Sequence, residues 1–496
     1  MRHIVTKGLV LDEPLIFEIS SVGRKGVEPR AFDVPEVDGA GLIPAGLLRG
    51  ADDAMAGLPE VSEIDAVRHY TRLSQWNFGV DTGFYPLGSC TMKYNPKINE
   101  DAARLEGLAA IHPYQPEELS QGALQLIYDL EGYLAEISGM DGITLQPSAG
   151  AQGELTGLMM IAAYFKAKGK ARHKIIIPDT AHGTNPASSA LAGFKVVPIK
   201  SEGAGVVTLD AVKAVMDDDT AALMLTNPNT IGIFERNIAE IAAYVHKKGG
   251  LIYCDGANLN ALMGIMKLGD MGVDVVQFNL HKTFSTPHGG GGPGSGPVGV
   301  SKALIPFLPG PRIKKTGKKY RFVYDNPKSI GRVKAFYGNF GVMVKAYAYI
   351  RRMGADGIRK AALTAILNAN YIKESLKGTF HLPYDQPCMH ECVFSDKFQS
   401  AYGVSTMDMA KRLIDFGYHP PTVYFPLVVH GAIMIEPTET ETKATLDGFI
   451  ETMKEIAQEA ATNPDILKNA PLNTKVQRVD EVRAAREPVL RWRQGA

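Results

Sequence analysis

The sequence predicts an α/β fold: a large domain built on a mostly parallel sheet, followed by a small α+β domain. Between residues 140 and 300, short apolar runs alternate with helical patterns, which is typical of a parallel sheet covered on both faces. The predicted strands are 175–177, 195–199, 222–226, 251–254, 275–278 and 298–300. The predicted helices between them are 154–168, 210–216 and 238–247. Ligands bind at the carboxyl ends of the strands in such sheets, so functional residues should follow the apolar runs.

The chain is predicted to have three parts. Residues 1–60 are rich in Pro and Gly, and their apolar side chains favour an N-terminal arm that wraps a partner subunit. Residues 61–330 form the large domain, which includes a helix predicted at 117–138 from the spacing of its apolar residues. Residues 331–496 form the small domain. Its predicted helices are 340–376, 408–416 and 443–460, and its apolar runs are 388–394, 424–429 and 432–435.

Composition argues against several classes of protein. The 53 basic and 53 acidic residues balance, so neither nucleic acid nor an anionic membrane is an expected partner. The first residues lack the apolar stretch of a signal peptide, and no run reaches the roughly 18 apolar residues of a bilayer span. Four cysteines in 496 residues do not make a disulfide framework. We therefore expect a soluble, cytoplasmic protein.

A lysine and an acid follow two of the predicted strands. Lys282 comes after the run 275–278, and Asp255 ends the run that starts at residue 251. A lysine amine can hold an aldehyde cofactor as a Schiff base, and an anion can pair with a pyridinium nitrogen. The two residues are therefore the minimal arrangement for pyridoxal 5′-phosphate bound covalently to Lys282. Taken singly, Lys282 could be a lysine reaching from a strand end to water, and Asp255 could cap a turn.

His182 follows the predicted strand 175–177, where an imidazole could stack on the cofactor ring and carry a proton. The alternative is a solvated histidine in a helix-capping loop. Ala257 is small enough to lie against the face of the ring. Together these positions give Lys282, His182 and Asp255 as the predicted catalytic residues.

A glycine-containing segment leads into the helix predicted at 154–168. Backbone N–H groups at a helix start bind anions, so this segment is predicted to hold the cofactor phosphate, with Ser148 and Thr283 as hydroxyl donors. Helix starts of this kind are common, so the spacing alone is weak support. The predicted cofactor-binding residues are Lys282, Asp255, Ala257, His182, Ser148, Gly150, Ala151, Gln152, Thr230 and Thr283.

Two other patterns are interpreted as structural. The glycine run 289–294 lacks the strand–turn–helix context of a dinucleotide loop and predicts a loop that approaches the active site closely. Cys388, His390 and Cys392 alternate, which on a strand would put them on one face. A metal would need a fourth ligand, so a structural strand is favoured and no metal site is predicted.

These residues lie within longer motifs that closely resemble the P-protein of glycine cleavage, the pyridoxal-phosphate glycine decarboxylase family. The matching segments spread from about residue 70 to residue 450, so together they are far more specific than any one of them. They are Leu87-Gly88-Ser89-Cys90-Thr91-Met92-Lys93, Ile111-His112-Pro113-Tyr114, Gly150-Ala151-Gln152-Gly153-Glu154, Ala181-His182-Gly183-Thr184-Asn185-Pro186, Asn279-Leu280-His281-Lys282-Thr283-Phe284, Pro287-His288-Gly289-Gly290-Gly291-Gly292-Pro293-Gly294 and Glu436-Pro437-Thr438-Glu439.

The resemblance implies an aspartate-aminotransferase-like fold (fold type I) and pyridoxal 5′-phosphate as the cofactor. It implies decarboxylation of glycine, with release of CO2 and transfer of the aminomethyl group to the lipoyl arm of the H protein of the glycine cleavage system. The family occurs as one long chain or as two paralogous subunits, and this chain resembles the lysine-bearing subunit 2 of the split form. A paralogous subunit 1 is thus the implied partner, in an α2β2 heterotetramer. Ser148-Ala149 departs from the Asn-Ser of longer relatives, which leaves more of the phosphate binding to backbone amides.

Two alternatives remain open. The first is another enzyme on the same fold, either an aminotransferase with arginines that bind a carboxylate or a desulfurase with a nucleophilic cysteine. Arg332 and Cys90 are the positions concerned, while Ser89 and Cys90 are also expected in an entrance loop. The spacing does not choose among Arg321, Arg332 and other arginines for binding the glycine carboxylate. The second is a scaffolding subunit without catalysis, against which the retention of both Lys282 and Asp255 argues.

Overall fold

The computed structural model describes residues 7–28, 30–37, 41–47, 58–287 and 292–490. Within them the strands are β1 Gly142–Thr144, β2 Lys174–Pro178, β3 Lys195–Ile199, β4 Thr220–Thr226, β5 Leu251–Gly256, β6 Val275–Phe278, β7 Val298–Val300, β8 Arg312–Thr316, β9 Lys319–Val323, β10 Cys392–Ser395, β11 Thr422–Val423 and β12 Ala432–Ile435. The helices are α1 Glu63–Ser74, α2 Lys97–Arg104, α3 Glu106–Ala109, α4 Gln121–Ser138, α5 Gly150–Ala167, α6 Thr184–Leu191, α7 Leu209–Lys213, α8 Ile238–Lys247, α9 Leu280–Thr283, α10 Phe340–Leu376, α11 Thr406–Asp415, α12 Lys443–Thr462, α13 Pro464–Asn469 and α14 Glu481–Arg486.

The large sheet has the strand order β1-β7-β6-β5-β4-β2-β3. Strands β3, β2, β4, β5 and β6 pair in parallel, and β7 is antiparallel to both of its neighbours. Asp255 lies opposite Thr226 on β4 and opposite Gln277 on β6. The prediction of a mostly parallel sheet is confirmed, and the carboxyl ends of β2, β5 and β6 meet at one edge.

The apolar runs of this sheet are continuous because both of its faces are buried. Successive side chains of a strand point to opposite faces, so each central strand supplies two separate parts of the core. The residues packed in one cluster are Ile176, Leu223, Leu225, Ile252, Cys254 and Val276. Their neighbours pack in another cluster, which contains Ile175, Ile177, Ala222, Met224, Leu251, Tyr253 and Val275. The two buried faces fix the register that sets the strand ends beneath the site.

The smaller sheet has the order β10-β12-β11, and β12 is antiparallel to both neighbours. Helix α10 runs for 37 residues and is interrupted at Gly354, whose φ of 62° is not helical. Helices α10 and α12 pack together, and α10 also contacts β10 of this sheet. This arrangement agrees with the predicted small α+β domain. A separate two-stranded hairpin, β8–β9, was not predicted, because its strands are rich in Lys and Arg rather than apolar residues.

Most predicted elements recur with small changes of boundary. Strands β3, β6, β7 and β12 and helices α8 and α10 have the predicted bounds. The helix predicted at 117–138 is divided at Ser120 into a 3-10 turn, Glu117–Leu119, and α4. The prediction that Cys388, His390 and Cys392 lie on one strand is wrong, because β10 begins at Cys392. The backbone of Cys388 is instead bonded to the side chain of Asn370, at 2.6 and 3.1 Å.

Contacts divide the chain into two compact units: Met1–Gly79 with Ile414–Tyr418 and Asn469–Ala496, and Val80–Leu413 with His419–Lys468. In the first unit, Arg72 donates to the carboxylate of Glu13, which ties the N-terminal segment to α1. All residues of the site described below belong to the second unit. The domain boundaries predicted near residues 60 and 330 stay a prediction. Among the described residues, no helix is both long enough and apolar enough to cross a membrane.

Candidate active site

The carboxyl edge of the large sheet brings together three of the predicted residues. His182 follows β2, Asp255 is the penultimate residue of β5, and Lys282 lies in α9, a single turn after β6. The side-chain amide of Gln277, on β6, donates to Oδ1 of Asp255 and so links the strand that leads to Lys282 with the acid. Sheet register therefore explains why residues far apart in sequence meet at this edge.

Asp255 is a buried carboxylate that is well supplied with hydrogen-bond donors. Its side chain is 2% exposed. Oδ1 accepts from the backbone N–H of Ala257 at 2.9 Å and from Gln277, and Oδ2 accepts from Nδ2 of Asn185 at 3.1 Å. Donors on both oxygens stabilise the ionised form of a buried carboxyl group. The arrangement can therefore hold a negative charge at a fixed place.

His182 lies close enough to Asp255 and Lys282 for their charges to act on the pKa of its imidazole. Burial lowers the pKa of its imidazole, and the charge of Lys282 lowers it further, whereas Asp255 raises it. The ring Nδ1 lies 2.9 Å from Oγ1 of Thr184, and the ring packs edge-to-face on Phe425 with 5.5 Å between centroids. A lowered pKa favours the neutral imidazole, which can accept a proton at neutral pH. Whether the ring stacks on a cofactor stays a prediction.

Lys282 is nearly enclosed and has a defined partner. It is 8% exposed, and its Nζ donates to the backbone carbonyl of Ser89 at 2.7 Å. Ser89 has a φ of +63°, in the left-handed region that non-glycine residues rarely adopt. The segment around Ser89, predicted as an entrance loop, therefore lies against the lysine amine.

The start of α5 is the segment where the cofactor phosphate is predicted to bind. Ala149 precedes the helix in an extended conformation, and no side chain caps the first turn. A Cβ on Gly150 would lie 2.5 Å from Oδ1 of Asn279, and one on Gly153 would lie 2.6 Å from the carbonyl of Gly296. Only glycine allows this approach between the helix start and the segments that follow β6. The first-turn N–H groups are thus available to an anion.

The hydroxyl groups predicted to contact the cofactor differ in what they already bind. Ser148 donates its hydroxyl to Gln152, and Thr230 donates to the carbonyl of Thr180. The hydroxyl of Thr283 is fully buried and has no hydrogen-bond partner in the described part of the chain. The same holds for Ser295, which the sequence did not single out. Buried hydroxyls are normally bonded, so these two fit a ligand with acceptor oxygens such as a phosphate. Residues 289–291 of the predicted glycine loop lie outside the described residues.

A second acidic cluster, missed from the sequence, flanks the same lysine. Glu391 accepts from the backbone N–H of Ser89 at 2.8 Å, and Glu436 accepts from the hydroxyl of Thr91. Both glutamates are completely buried. A ring nitrogen of His390 and one carboxylate oxygen of each glutamate lie within 4.8 Å of one another. In the sequence, Glu391 and Glu436 each adjoin an apolar run. That position could have indicated a paired buried acid, since Glu residues are almost never fully buried unless they are paired.

The residues that would favour a different reaction are placed as follows. The guanidinium of Arg332 lies over the ring of Tyr114, 4.7 Å from its centroid, and Arg321 lies opposite Lys314 in the β8–β9 hairpin. Burial raises the pKa of the Cys90 thiol, although Lys282 opposes the effect. A raised pKa disfavours the thiolate that a nucleophilic cysteine needs.

The fold and the lysine site define the broad class of the protein. The aminotransferase class-V family matches residues 152–362, which contain His182, Asp255 and Lys282. A crystal structure of glycine decarboxylase (P-protein) of the glycine cleavage system, in inhibitor-bound form, superposes with a TM-score of 0.69. It covers 84% of this chain and 93% of that one at 19% identity. The chain therefore has the fold of this class, as predicted.

The particular family follows from closer relatives. The family described as glycine dehydrogenase, C-terminal domain, matches residues 361–474. A probable glycine dehydrogenase (decarboxylating) subunit 2 from Caldanaerobacter subterraneus subsp. tengcongensis is 60% identical over 479 residues, which are 96% of this chain and 98% of that protein. The protein of the same name from Halalkalibacterium halodurans is 59% identical over 97% of this chain and 98% of its own length. The chain belongs to the glycine dehydrogenase (decarboxylating) subunit 2 family, which confirms the resemblance stated from its motifs.

Proposed function

We propose that this chain catalyses the decarboxylation of glycine and transfers the aminomethyl group to the lipoyl arm of the H protein, with release of CO2. Membership of the glycine dehydrogenase (decarboxylating) subunit 2 family supports this reaction. The observation that carries it is the enclosed amine of Lys282 at the strand edge where Asp255 holds a carboxylate fixed by three donors. Such a pair suits a cofactor with an aldehyde at one end of a pyridine ring and a basic nitrogen at the other.

Pyridoxal 5′-phosphate is the proposed cofactor, and the residues present fit it. Lys282 would hold it covalently, Asp255 would pair with the ring nitrogen, and Ala257 and His182 would lie at the ring. The start of α5 and the unbonded hydroxyl of Thr283 would hold its phosphate, near the predicted contacts Ser148, Gly150, Ala151, Gln152 and Thr230. When bound, the group supplies an electron sink for the bond that decarboxylation breaks.

The residues of the chain have separate tasks in this scheme. Asp255 holds a negative charge in a dry site, where it acts more strongly than it would in water. Nδ1 of His182 is engaged with Thr184, so Nε2 is the atom that would accept or deliver a proton. The carbonyl of Ser89 orients Nζ of Lys282. Asp255 and Lys282 are both buried, which excludes water from these two groups.

A paralogous subunit 1 is the proposed partner, in an α2β2 heterotetramer, and the H protein is the proposed acceptor. The name of the relatives, subunit 2, supports a split enzyme. Exposed apolar side chains in the first unit support burial of the N-terminal arm by a partner: Val22 is 95% exposed, Val27 76% and Phe32 74%. The cytoplasmic location predicted from the sequence remains part of this proposal.

The test uses the chain co-expressed with its paralogous partner and loaded with cofactor. Lys282→Ala should abolish the visible absorption of the lysine-bound cofactor and the exchange of labelled bicarbonate into glycine. Lys195→Ala, which removes an exposed lysine at the start of β3, is the matched control and should keep both. Undiminished exchange in Lys282→Ala would refute the proposal, and it would also leave a scaffolding subunit or another catalytic lysine as the explanation.

A further inference from the structure

We propose that Glu391 and Glu436 share a single proton beside Lys282, so that this pair carries one negative charge rather than two. The second part of the proposal rests on the proposed function: the single charge of the pair sets the proton affinity of the lysine nitrogen that holds the cofactor. Glu391 and Glu436 are thus positioning residues, which act on the reaction through Lys282.

Sheet register brings the two glutamates together. Strand β10 begins at Cys392 and β12 ends at Ile435, and these two residues are partners in the antiparallel ladder. Glu391 comes immediately before the first, and Glu436 immediately after the second. The acids therefore leave the same end of the small sheet side by side, although 45 positions separate them in the sequence. Both have no exposed surface.

Each glutamate has one bonded and one unbonded carboxylate oxygen. Oε2 of Glu391 accepts from Ser89, and Oε1 of Glu436 accepts from Thr91. Oε1 of Glu391 and Oε2 of Glu436 have no hydrogen-bond partner among residues 58–287 and 292–490 or the other described segments. Nε2 of His390 lies 3.7 Å from Oε1 of Glu391, which is too far for a hydrogen bond. A proton on one of the two carboxyl groups would supply the donor that these two oxygens lack.

The charges around Glu391 and Glu436 are balanced when the two glutamates together carry one negative charge. Lys93 lies 3.1 Å from Glu439, so these two charges cancel locally. Burial lowers the pKa of His390 to about 3, which leaves the imidazole neutral. Among the described residues, Lys282 is then the remaining cation that opposes the raised pKa of both glutamates. One ionised carboxyl group of the pair balances it, while the carboxylate of Asp255 is held by its own three donors. Two ionised carboxyl groups would leave an uncompensated charge in a dry site, which is strongly disfavoured.

The titration of both acids agrees with this count. Burial raises the pKa of Glu436 to about 7; the Thr91 hydrogen bond, Lys282 and Lys93 oppose the effect, and Glu439 adds to it. Burial and the charge of Glu436 raise the pKa of Glu391 well above its usual range, against the Ser89 hydrogen bond and Lys282. Two carboxyl groups in one site cannot easily both ionise, as in other acid dyads. The remaining titratable neighbours are the thiol of Cys90 and the hydroxyl of Tyr349, whose pKa values burial raises, so neither adds a charge.

The pair is coupled to the lysine through one residue. The backbone N–H of Ser89 donates to Glu391, while the carbonyl of Ser89 accepts from Nζ of Lys282. Glutamine at position 391 or 436 can still accept these hydrogen bonds through its amide oxygen. A Glu→Gln change therefore removes the charge but keeps the hydrogen bond from Ser89 or Thr91. It separates the electrostatic role of the glutamate from a structural one.

The first experiment titrates the absorption of the lysine-bound cofactor with pH in the holoenzyme. Glu391→Gln and Glu436→Gln each leave one ionised carboxyl group, so each single variant should keep the midpoint of the wild type. The double variant leaves no negative charge, and its midpoint should fall by about one unit or more. Two independent charges would instead give similar downward shifts in each single variant that add in the double, and this result would overturn the proposal. Glu240→Gln, which changes an exposed acid on α8, is the matched control.

The second experiment uses the cofactor-free protein, so it does not depend on the proposed function. Infrared difference spectra between wild type and each single variant at neutral pH should show loss of one carboxylic-acid carbonyl band. An unchanged carbonyl band would overturn the shared proton even if Lys282 proves catalytic. Stoichiometric metal in the purified protein that disappears in Glu436→Gln would also overturn it, because a cation would then satisfy the unbonded atoms. If the band is lost while Lys282→Ala retains exchange, the shared proton stands and the proposed function fails.

Discussion

Two buried acidic regions lie near Lys282, and they differ in how many donors the protein gives them. Asp255 receives hydrogen bonds on both oxygens, from Asn185, Gln277 and the backbone of Ala257. Glu391 and Glu436 each receive one and keep one oxygen unbonded. All three are buried, so burial alone does not decide the charge of such a site. The number of donors does, because each donor stabilises the ionised form.

The difference separates two tasks around one amine. A carboxylate with donors on both oxygens, such as Asp255, is suited to a permanent charge, which the ring nitrogen of the cofactor would need. Carboxyl groups that lack donors, such as Glu391 and Glu436, are suited to holding a proton, so that the pair carries one charge that matches the charge of Lys282. Substitutions in each region test whether these two tasks are separate.

The largest expected effect is that of Asp255→Asn. Asparagine keeps the size of the side chain but removes the charge, so turnover of glycine should fall by about 10²–10³-fold, as when a preorganised electrostatic contact is removed. The measurement is the rate of glycine–bicarbonate exchange in the holoenzyme. Asp218→Asn, at an exposed position, should leave the rate unchanged. Equal rates for Asp255→Asn and the wild type would show that the carboxylate of Asp255 is not needed.

A smaller effect is expected at Glu131, a buried acid of α4. Burial raises its pKa from 4.5 to about 7, while Arg312 and the hydroxyl of Tyr337 oppose the effect. A pKa that is raised in the folded state makes the free energy of unfolding fall as the pH rises from about 4.5 to about 7. Glu131→Gln removes this loss, so at pH 8 the variant should be more stable than the wild type by up to about 3 kcal/mol.

Denaturant unfolding at pH 4 and pH 8 measures this effect. At pH 4 the carboxyl group is protonated in both states, so the advantage of Glu131→Gln should vanish. Glu136→Gln on the same helix is the control, since that side chain is 80% exposed and should show no such gain. If Glu131→Gln were more stable by the same amount at both pH values, burial with few hydrogen-bond donors would not raise the pKa of Glu131.

The smallest effect is expected at Ser89, which contacts both Glu391 and Lys282 through its backbone. Its φ of +63° suits glycine better than a residue with a side chain. Ser89→Gly should therefore be more stable than Ser89→Ala by about 1 kcal/mol in denaturant melts, because a left-handed conformation costs roughly that much for an L-residue. If the two variants are equally stable, Ser89 does not act through a strained backbone.

The sequence was sufficient for the parts of the fold with strong apolar periodicity. Strands β6 and β7, which are buried along their whole length, and helix α10 have the predicted bounds, because such burial gives a clear apolar pattern. Strand β3 also has the predicted bounds, although only its last residue is buried. The β8–β9 hairpin was missed, since Lys and Arg occupy most of its exposed positions. The interpretation of 388–392 as a strand failed because Asn370 replaces a neighbouring strand as the partner of Cys388.

The site was predictable to a similar extent. The meeting of Lys282, Asp255 and His182 at one edge could be predicted because each lies at or after the end of an apolar run, and the sheet brings such ends together. Their roles stay predictions. The meeting of Glu391 and Glu436 could not be predicted, because it depends on the pairing of β10 with β12. No local sequence pattern indicates that pairing. The burial of two acids is visible only once that ladder is formed. The sequence therefore indicated Asp255, which has donors on both oxygens, but not Glu391 and Glu436, which each keep one oxygen unbonded.

The central claim is that the amine of Lys282 binds the cofactor covalently, and chemical trapping tests it most directly. Borohydride treatment of the holoenzyme, followed by proteolysis and mass spectrometry, fixes the cofactor on the amine that holds it. The expected result is a single modified peptide with the added mass on Lys282, absent without borohydride. Added mass on any other lysine, or no modified peptide from a protein that retains exchange activity, would contradict the account.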